Sequence, residues 1–318
     1  MYRFFKKIFW LLKDAYYVIK SKKKSNGSNY LYLYKLFIIR FFYGTTYFRN
    51  KITIIKNLPN IKFHNTFFLN NENEELFLND FLNEIDDKGY IKLKSKVKTD
   101  VIDDLSKDAL SSIEYEKVKN FNQNDLENLE SFFQKMKSEE IYSIKHDVKI
   151  EDSSIIKKFA TNDFFINLSQ RYLNTDKLSI NIQLLISQNL NNKSISDLEY
   201  SKASQLYHAD VDFKKFFKLF IYLNDINTED QGPHEFVTSS HKKKPHELYV
   251  TSRFSDFLVK ENYNEQVKFY GDKGTSFIVD TFGIHKGCKL KGNNSRAILA
   301  ITYGKDHFKF SKNTIYIN

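Results

Sequence analysis

Cysteine occurs once in the 318 residues, at Cys288, so no disulfide can form within the chain and a disulfide-stapled secreted scaffold is excluded. That usage fits a reducing compartment, and the expectation is a cytoplasmic protein. Three prolines and ten glycines are too few for a fibrous or low-complexity chain. Long apolar runs are also missing. Lys35 and Arg40 interrupt the stretch YLYLYKLFIIRFFYG, and no run reaches the roughly 18 to 20 apolar residues that cross a bilayer. Nothing resembles a signal-peptide cleavage site. What remains is a chain with 41% hydrophobic residues, enough for a core in one large domain or in one domain with an extension.

The net charge of +10 suggests nucleic acid until its distribution is counted. Residues 1–74 hold 14 Lys or Arg against three acids, a net of +11, which leaves about −1 for residues 75–318. The basic signal therefore belongs to the N-terminal extension, and no nucleic-acid partner is expected. Within that extension Phe5, Ile8, Phe9, Leu12 and Tyr16 recur at helical spacing among lysines, followed by the polar linker SKKKSNGSN. Residues 1–45 thus suit either an anionic membrane surface, at the inner face of the membrane, or packing onto the chain's own domain; the residues leave both open.

From Glu75 the character changes, which gives two units: an extension over 1–74 and a domain over 75–318. ELFLNDFLNEIDDKGYIKLKSKV reads as a helix, a turn at Asp87-Lys88-Gly89 and a strand from Tyr90. Residues 99–175 are polar and mostly helical in pattern. After Leu178 the pattern turns to strands: SINIQLLISQNL, QLYHADVDFKKFFKLFIYLND, QVKFYG, TSFIVDTF and RAILAITYG. Helices first and strands later predict an α+β domain whose C-terminal half is a β-barrel or jelly roll.

In QLYHADVDFKKFFKLFIYLND, His208 and Asp210 stand two apart. On a strand they share a face, where an imidazole and a carboxylate can grip one divalent metal. A third ligand must come from elsewhere, and the best candidate is His285, just after TSFIVDTF. Two His and one carboxylate on one side of a metal leave other positions open, the donor set of non-haem Fe(II) oxygenases. Eleven residues on, Arg296 opens the apolar strand RAILAITYG. A guanidinium there needs an anionic partner, and its fork matches a carboxylate.

These pieces, in this order, resemble the phytanoyl-CoA dioxygenase-like group of Fe(II)/2-oxoglutarate-dependent oxygenases. FLNEIDDKGYIKLKSKV looks like the family's opening, YHAD its first two ligands, GDKGTSFIVDTFGIHKG its third-ligand segment and RAILAITYG its closing strand. FKLFIYLNDINTEDQGPHEFVTSSHK is the most specific match, with Leu223, Asp225, Gly232, Pro233, Ser240 and His241 in place. The likeness covers roughly residues 77–305. It implies a double-stranded β-helix (jelly roll, cupin-like) core with flanking helices, iron on His208, Asp210 and His285, and 2-oxoglutarate on Arg296. With dioxygen, such an enzyme hydroxylates a small-molecule, lipid or glycan-precursor substrate and releases succinate and CO₂. A catalytically silent binding or scaffold protein on the same barrel is the alternative.

The chain departs from the family at Ala209 and Gly287, where members carry Gln and a polar residue, and the polar co-substrate contact on the strand before His208 falls to Gln183 or Ser187. Halogenases of this group replace the carboxylate by a small residue, so Asp210 favours hydroxylation. Thr302 stands where the AlkB-type nucleic-acid demethylases have a second Arg. Among other residues, His234, His241 and His246 cluster in a loop, with His241 implied to organise it. Lys218 suits either a ligand contact or a strand rim, Cys288 reads as a small buried thiol, and Asp280 and Thr281 read either as a support for His285 or as solvated turn residues. The loops 188–204 and 242–266 are expected to shape the pocket.

Overall fold

The computed structural model describes residues 67, 78–113, 118, 120–122, 124–190, 194–210, 215–242, 253–305 and 313–317. Apart from Phe67, the N-terminal extension lies outside the described residues, as does His246. Phe67 sets its ring 5.3 Å from that of Phe159, and its carbonyl accepts from the Lys98 amide at 2.9 Å.

Helix α1 (Leu78–Lys88) buries Leu78, Leu82 and Ile85, three and four apart along one face. Gly89, at φ +87°, ends it by the left-handed turn that a side chain would resist, and β1 (Tyr90–Lys92) follows. Helix α2 (Thr99–Ser111) turns Val101, Ile102, Leu105 and Ala109 inward. Asn128 caps α3 (Leu129–Ser138) by accepting from the Ser131 amide. After β2 (Ser143–Asp147) come α4 (Ile155–Ala160) and α5 (Asp163–Leu173). The rest is β3 (Leu178–Gln188), α6 (Asp197–Lys202), β4 (Phe216–Tyr222), β5 (His234–Val237), α7 (Asp256–Asn262), β6 (Gln266–Phe269), β7 (Ser276–Val279), β8 (His285–Gly287), β9 (Ser295–Gly304) and β10 (Thr314–Ile317).

The strands form two antiparallel sheets, one ordered β1-β7-β4-β9-β3-β10 with β2 also paired to β3, the other β6-β5-β8. His208 adds to the small sheet through bridges to His285 and Arg253. From β3 onward the chain thus alternates between sheets: β3 large, the His208 segment small, β4 large, β5 and β6 small, β7 large, β8 small, β9 large. This winding is a double-stranded β-helix, so the expected α+β jelly roll with flanking helices is the architecture seen.

Alternation along β4 shows how the layers meet. Phe217, Leu219 and Ile221 join the core shared with α1 to α5, while Phe220 and Tyr222 face Phe236 and Phe269 of the small sheet. Lys218 shares the inward face with Phe220.

The 99–175 region is mostly helical, as expected, with SIKHD forming β2 against β3. Two sequence expectations need correction. The segment around GPHEFV is not a loop throughout, since β5 is a buried central strand of the small sheet. His208 and Asp210 do not lie within the long strand that follows them; they sit on a separate bridge-bearing segment before β4. Among the described residues, no helix is long and apolar enough to cross a membrane.

Candidate metal centre

His208 and His285 lie directly opposite each other and exchange both backbone hydrogen bonds, at 2.9 and 2.8 Å. Their rings follow, with centroids 4.1 Å apart. The Asp210 amide donates to the Thr281 carbonyl at 2.8 Å, which fixes the carboxylate beside them. Asp210 Oδ1 stands 3.8 Å from His208 Nε2, and Oδ2 3.7 Å from His285 Nε2. One ligand atom from each of the three lies within 4.8 Å of the others, a group of the size that holds a metal ion.

The ring orientations are set by backbone carbonyls. His208 Nδ1 meets Leu206 O at 2.9 Å and His285 Nδ1 meets Gly283 O at 3.0 Å. A carbonyl only accepts, so each Nδ1 carries the proton and each Nε2 offers its lone pair to the shared space. Burial, with His285 alongside, pushes the His208 imidazole well below its ordinary pKa, so it stays neutral. Burial would raise the Asp210 carboxyl, but Lys218 first and then the two imidazoles outweigh it and hold the group well below the usual carboxylate range. Lys218 Nζ sits 2.7 Å from Asp210 Oδ2. Two neutral imidazoles and one carboxylate are the donor set a borderline divalent ion such as Fe(II) takes, so the residues present fit the metal expected from the sequence.

The three ligands open onto a cleft whose empty space, with its open mouth included, is about 730 Å³. Arg296 lines the same cleft and is 5% exposed. Its Nη1 donates to Gly232 O and lies 3.5 Å from Cys288 O, and its Nη2 lies 3.4 Å from Ser187 Oγ. All three partners are neutral, and among the described residues no carboxylate pairs with the guanidinium. Burial alone pulls its pKa down. Gly287 explains itself here: a Cβ would sit 2.8 Å from Arg296 Cζ and closer still to both Nη atoms. Any larger residue there would occupy the guanidinium's own space.

Gln183 faces the cleft too, but its Nε2 donates to Asp147 Oδ1 at 2.6 Å; Ser187 is the one beside Arg296. Asp280 accepts from Tyr172 Oη at 2.6 Å and from the Phe282 amide at 3.1 Å, so it shapes the turn before His285, whose ring is fixed by Gly283. Asp280 and Thr281 are both buried, against the solvated-turn alternative. His241 Nε2 meets Asp86 O at 3.0 Å, the N–H donating, and so ties its loop to α1. Ser240 Oγ accepts from the Ile284 amide at 2.7 Å, fastening that loop beside His285. Cys288 is buried, donates to Glu235 Oε2 at 3.1 Å, and has its thiol pushed up to about 12 by burial, with Glu235 adding to it. Lys218 is no rim residue, being 7% exposed against a ligand.

Two features escaped the sequence reading. His234 lines the cleft with its ring stacked 5.4 Å from that of His285. Glu235, buried in β5, accepts from Tyr207 Oη and from Cys288, bracing the segment that carries His208. A strand signal in HEFV, four residues bounded by Pro233 and Thr238, was the one cue to both.

No protein-family model matches the sequence, and no curated protein matches it. Solved structures similar to it include EctD from S. alaskensis with bound Fe, at 14% identity and TM-score 0.48, covering 81% of this chain and 87% of that one. HygX from Streptomyces hygroscopicus with iron bound follows at 12% identity and TM-score 0.45, covering 74% and 88%. The non-heme alpha ketoglutarate dependent epimerase SnoN from nogalamycin biosynthesis is similar at 11% identity and TM-score 0.43, covering 71% and 80%.

Proposed function

We propose that the chain is an Fe(II)- and 2-oxoglutarate-dependent oxygenase of the phytanoyl-CoA dioxygenase-like kind, hydroxylating a small-molecule, lipid or glycan-precursor substrate. The observation that carries the reading is one cleft holding two things at once: a carboxylate with two Nε2 lone pairs turned together, and a buried guanidinium that has only neutral partners. An unpaired buried cation costs several kcal/mol, about the penalty that an incoming carboxylate removes.

His208, Asp210 and His285 would hold the iron, and Arg296, with Ser187 beside it, would hold the distal carboxylate of the oxo acid. The iron and oxo acid supply the activation of dioxygen that leads to a hydroxylated product, succinate and CO₂. The chain's own part is geometric and electrostatic. Carbonyls of Leu206 and Gly283 keep both rings in the ligating tautomer. Lys218 keeps Asp210 ionised and turned to one side. Phe220, Ile298 and Ala300 wall the cleft with apolar surface that keeps water from the reacting centre.

Anaerobic titration with Fe(II) and then 2-oxoglutarate tests this directly. A weak visible charge-transfer band is expected from the wild type and is expected to vanish in Arg296→Met. A protein that takes up neither iron nor oxo acid is the scaffold alternative. For residues 1–45 we propose peripheral contact with the inner face of the membrane. Full-length protein should then sediment with liposomes containing anionic lipid, and protein lacking residues 1–74 should not; no sedimentation of the full chain refutes it.

A further inference from the structure

His234, the first residue of β5, lines the cleft and has had no task so far. It is 5% exposed, and its Nε2 is buried with no hydrogen-bond partner among the described residues. The surroundings explain the orphan. Rings of Phe220, Phe277 and Phe269 pack around the imidazole at centroid distances of 4.6, 5.4 and 5.9 Å, and none of them carries an acceptor. His285 stacks on it at 5.4 Å, but its Nδ1 is committed to Gly283 O and its Nε2 to the ligand group. A buried polar nitrogen left so is costly and rare in folded chains. The acceptor that relieves it must enter with a ligand.

Position decides which ligand. His234 stands opposite Gly287 across β5 and β8, and residues opposed in this way share a face, with Cβ atoms about 5 Å apart. The space that a Gly287 Cβ would take is held by the Arg296 guanidinium. His234 is thus flanked by Arg296 and by the metal ligand His285, the two anchors between which 2-oxoglutarate would extend. A carboxylate offers about four lone-pair positions, and a guanidinium fork fills two of them. Ser187 Oγ, 3.4 Å from Arg296 Nη2, can serve a third. The fourth has no donor until His234 is counted.

We infer that His234 is a further co-substrate-binding residue, its Nε2–H donating to the distal carboxylate of 2-oxoglutarate that Arg296 pairs with. The inference rests on the oxygenase reading. A neutral ring donor fixes the carboxylate's orientation without adding charge, so the contact selects for an oxo acid that carries this second carboxylate.

The test uses the full chain loaded with Zn(II), which accepts the same nitrogen and oxygen donors without redox chemistry. Calorimetric titration compares 2-oxoglutarate with 2-oxopentanoate, which has the same five carbons and lacks the distal carboxylate. His234→Phe keeps a ring among its neighbours. It should weaken 2-oxoglutarate about tenfold, the equivalent of about 1.4 kcal/mol, and leave 2-oxopentanoate and metal affinity unchanged. His234→Gln restores an N–H and should recover most of the loss. In the wild type, proton NMR should show an exchange-protected imidazole N–H resonance that appears with 2-oxoglutarate and is missing with 2-oxopentanoate; this readout stands even where a variant fails to fold. Equal 2-oxoglutarate affinity in wild type and His234→Phe, the same proportional loss for both oxo acids, or no such resonance would each overturn the contact alone. Failure of the wild type to bind 2-oxoglutarate would bring down the oxygenase reading and the contact with it.

Discussion

Gly287 and Arg296 compete for one volume, and this makes a sharp residue-scale test. Gly287→Ala should push the guanidinium off its carbonyl partners, costing about 1 to 3 kcal/mol of stability as overpacking does. It should also weaken 2-oxoglutarate binding as Arg296→Met does, which oxo acid titration checks. At the ligands, His208→Ala, His285→Ala and Asp210→Ala should each weaken metal binding by more than the roughly 10- to 100-fold typical of losing a supporting partner. Cys288, by contrast, is shielded and its thiol is held up to about 12, so thiol reagents should label it only on unfolding. Much of this was legible in the sequence: HxD spacing, a later His and an Arg eleven beyond it select residue types that few other chemistries need together. The hold of Lys218 on Asp210 and the reason for Gly287 were not, because both depend on which residues face each other across strands far apart in sequence.

Among the elements, those with several periods were readable and the short ones were not. β3 and β9, eleven and ten residues long, announce themselves by apolar content, and the helix, glycine and strand from Leu78 to Lys92 follow from an amphipathic run closed by Gly89. β2, β5 and β8 are five, four and three residues long, too few for a period to stand out, and tertiary pairing decides them. The α1–β1 corner can be probed at its glycine. A Cβ at Gly89 would sit 2.8 Å from Phe236 Cζ and closer still to His241 Nδ1, in a backbone at φ +87°. Gly89→Ala should therefore cost more than the roughly 1 kcal/mol of left-handed strain alone, measured by urea denaturation. It should also loosen the Ser240 loop that rests on Ile284.

For the molecule as a whole, acid is the condition that separates folded from unfolded. Burial, then His285, holds His208 and His234 well below the ordinary histidine value. Above about pH 6.5 neither state of the metal-free protein binds those protons, and their contribution to stability is complete. As pH falls through about 6.5 the unfolded chain takes up protons that the folded one refuses, so stability should drop by up to about 1.4 kcal/mol per pH unit for each histidine. Denaturant midpoints between about pH 7.5 and about pH 5.5 measure it, and His234→Phe should shallow the slope. The direct opposition of His208 and His285 has one more consequence. An ion held by both imidazoles is a rivet through two neighbouring segments of the small sheet, joining chain positions 77 residues apart. Melting temperature should then climb with the logarithm of free metal concentration, turning a thermal scan into an affinity assay that needs no substrate.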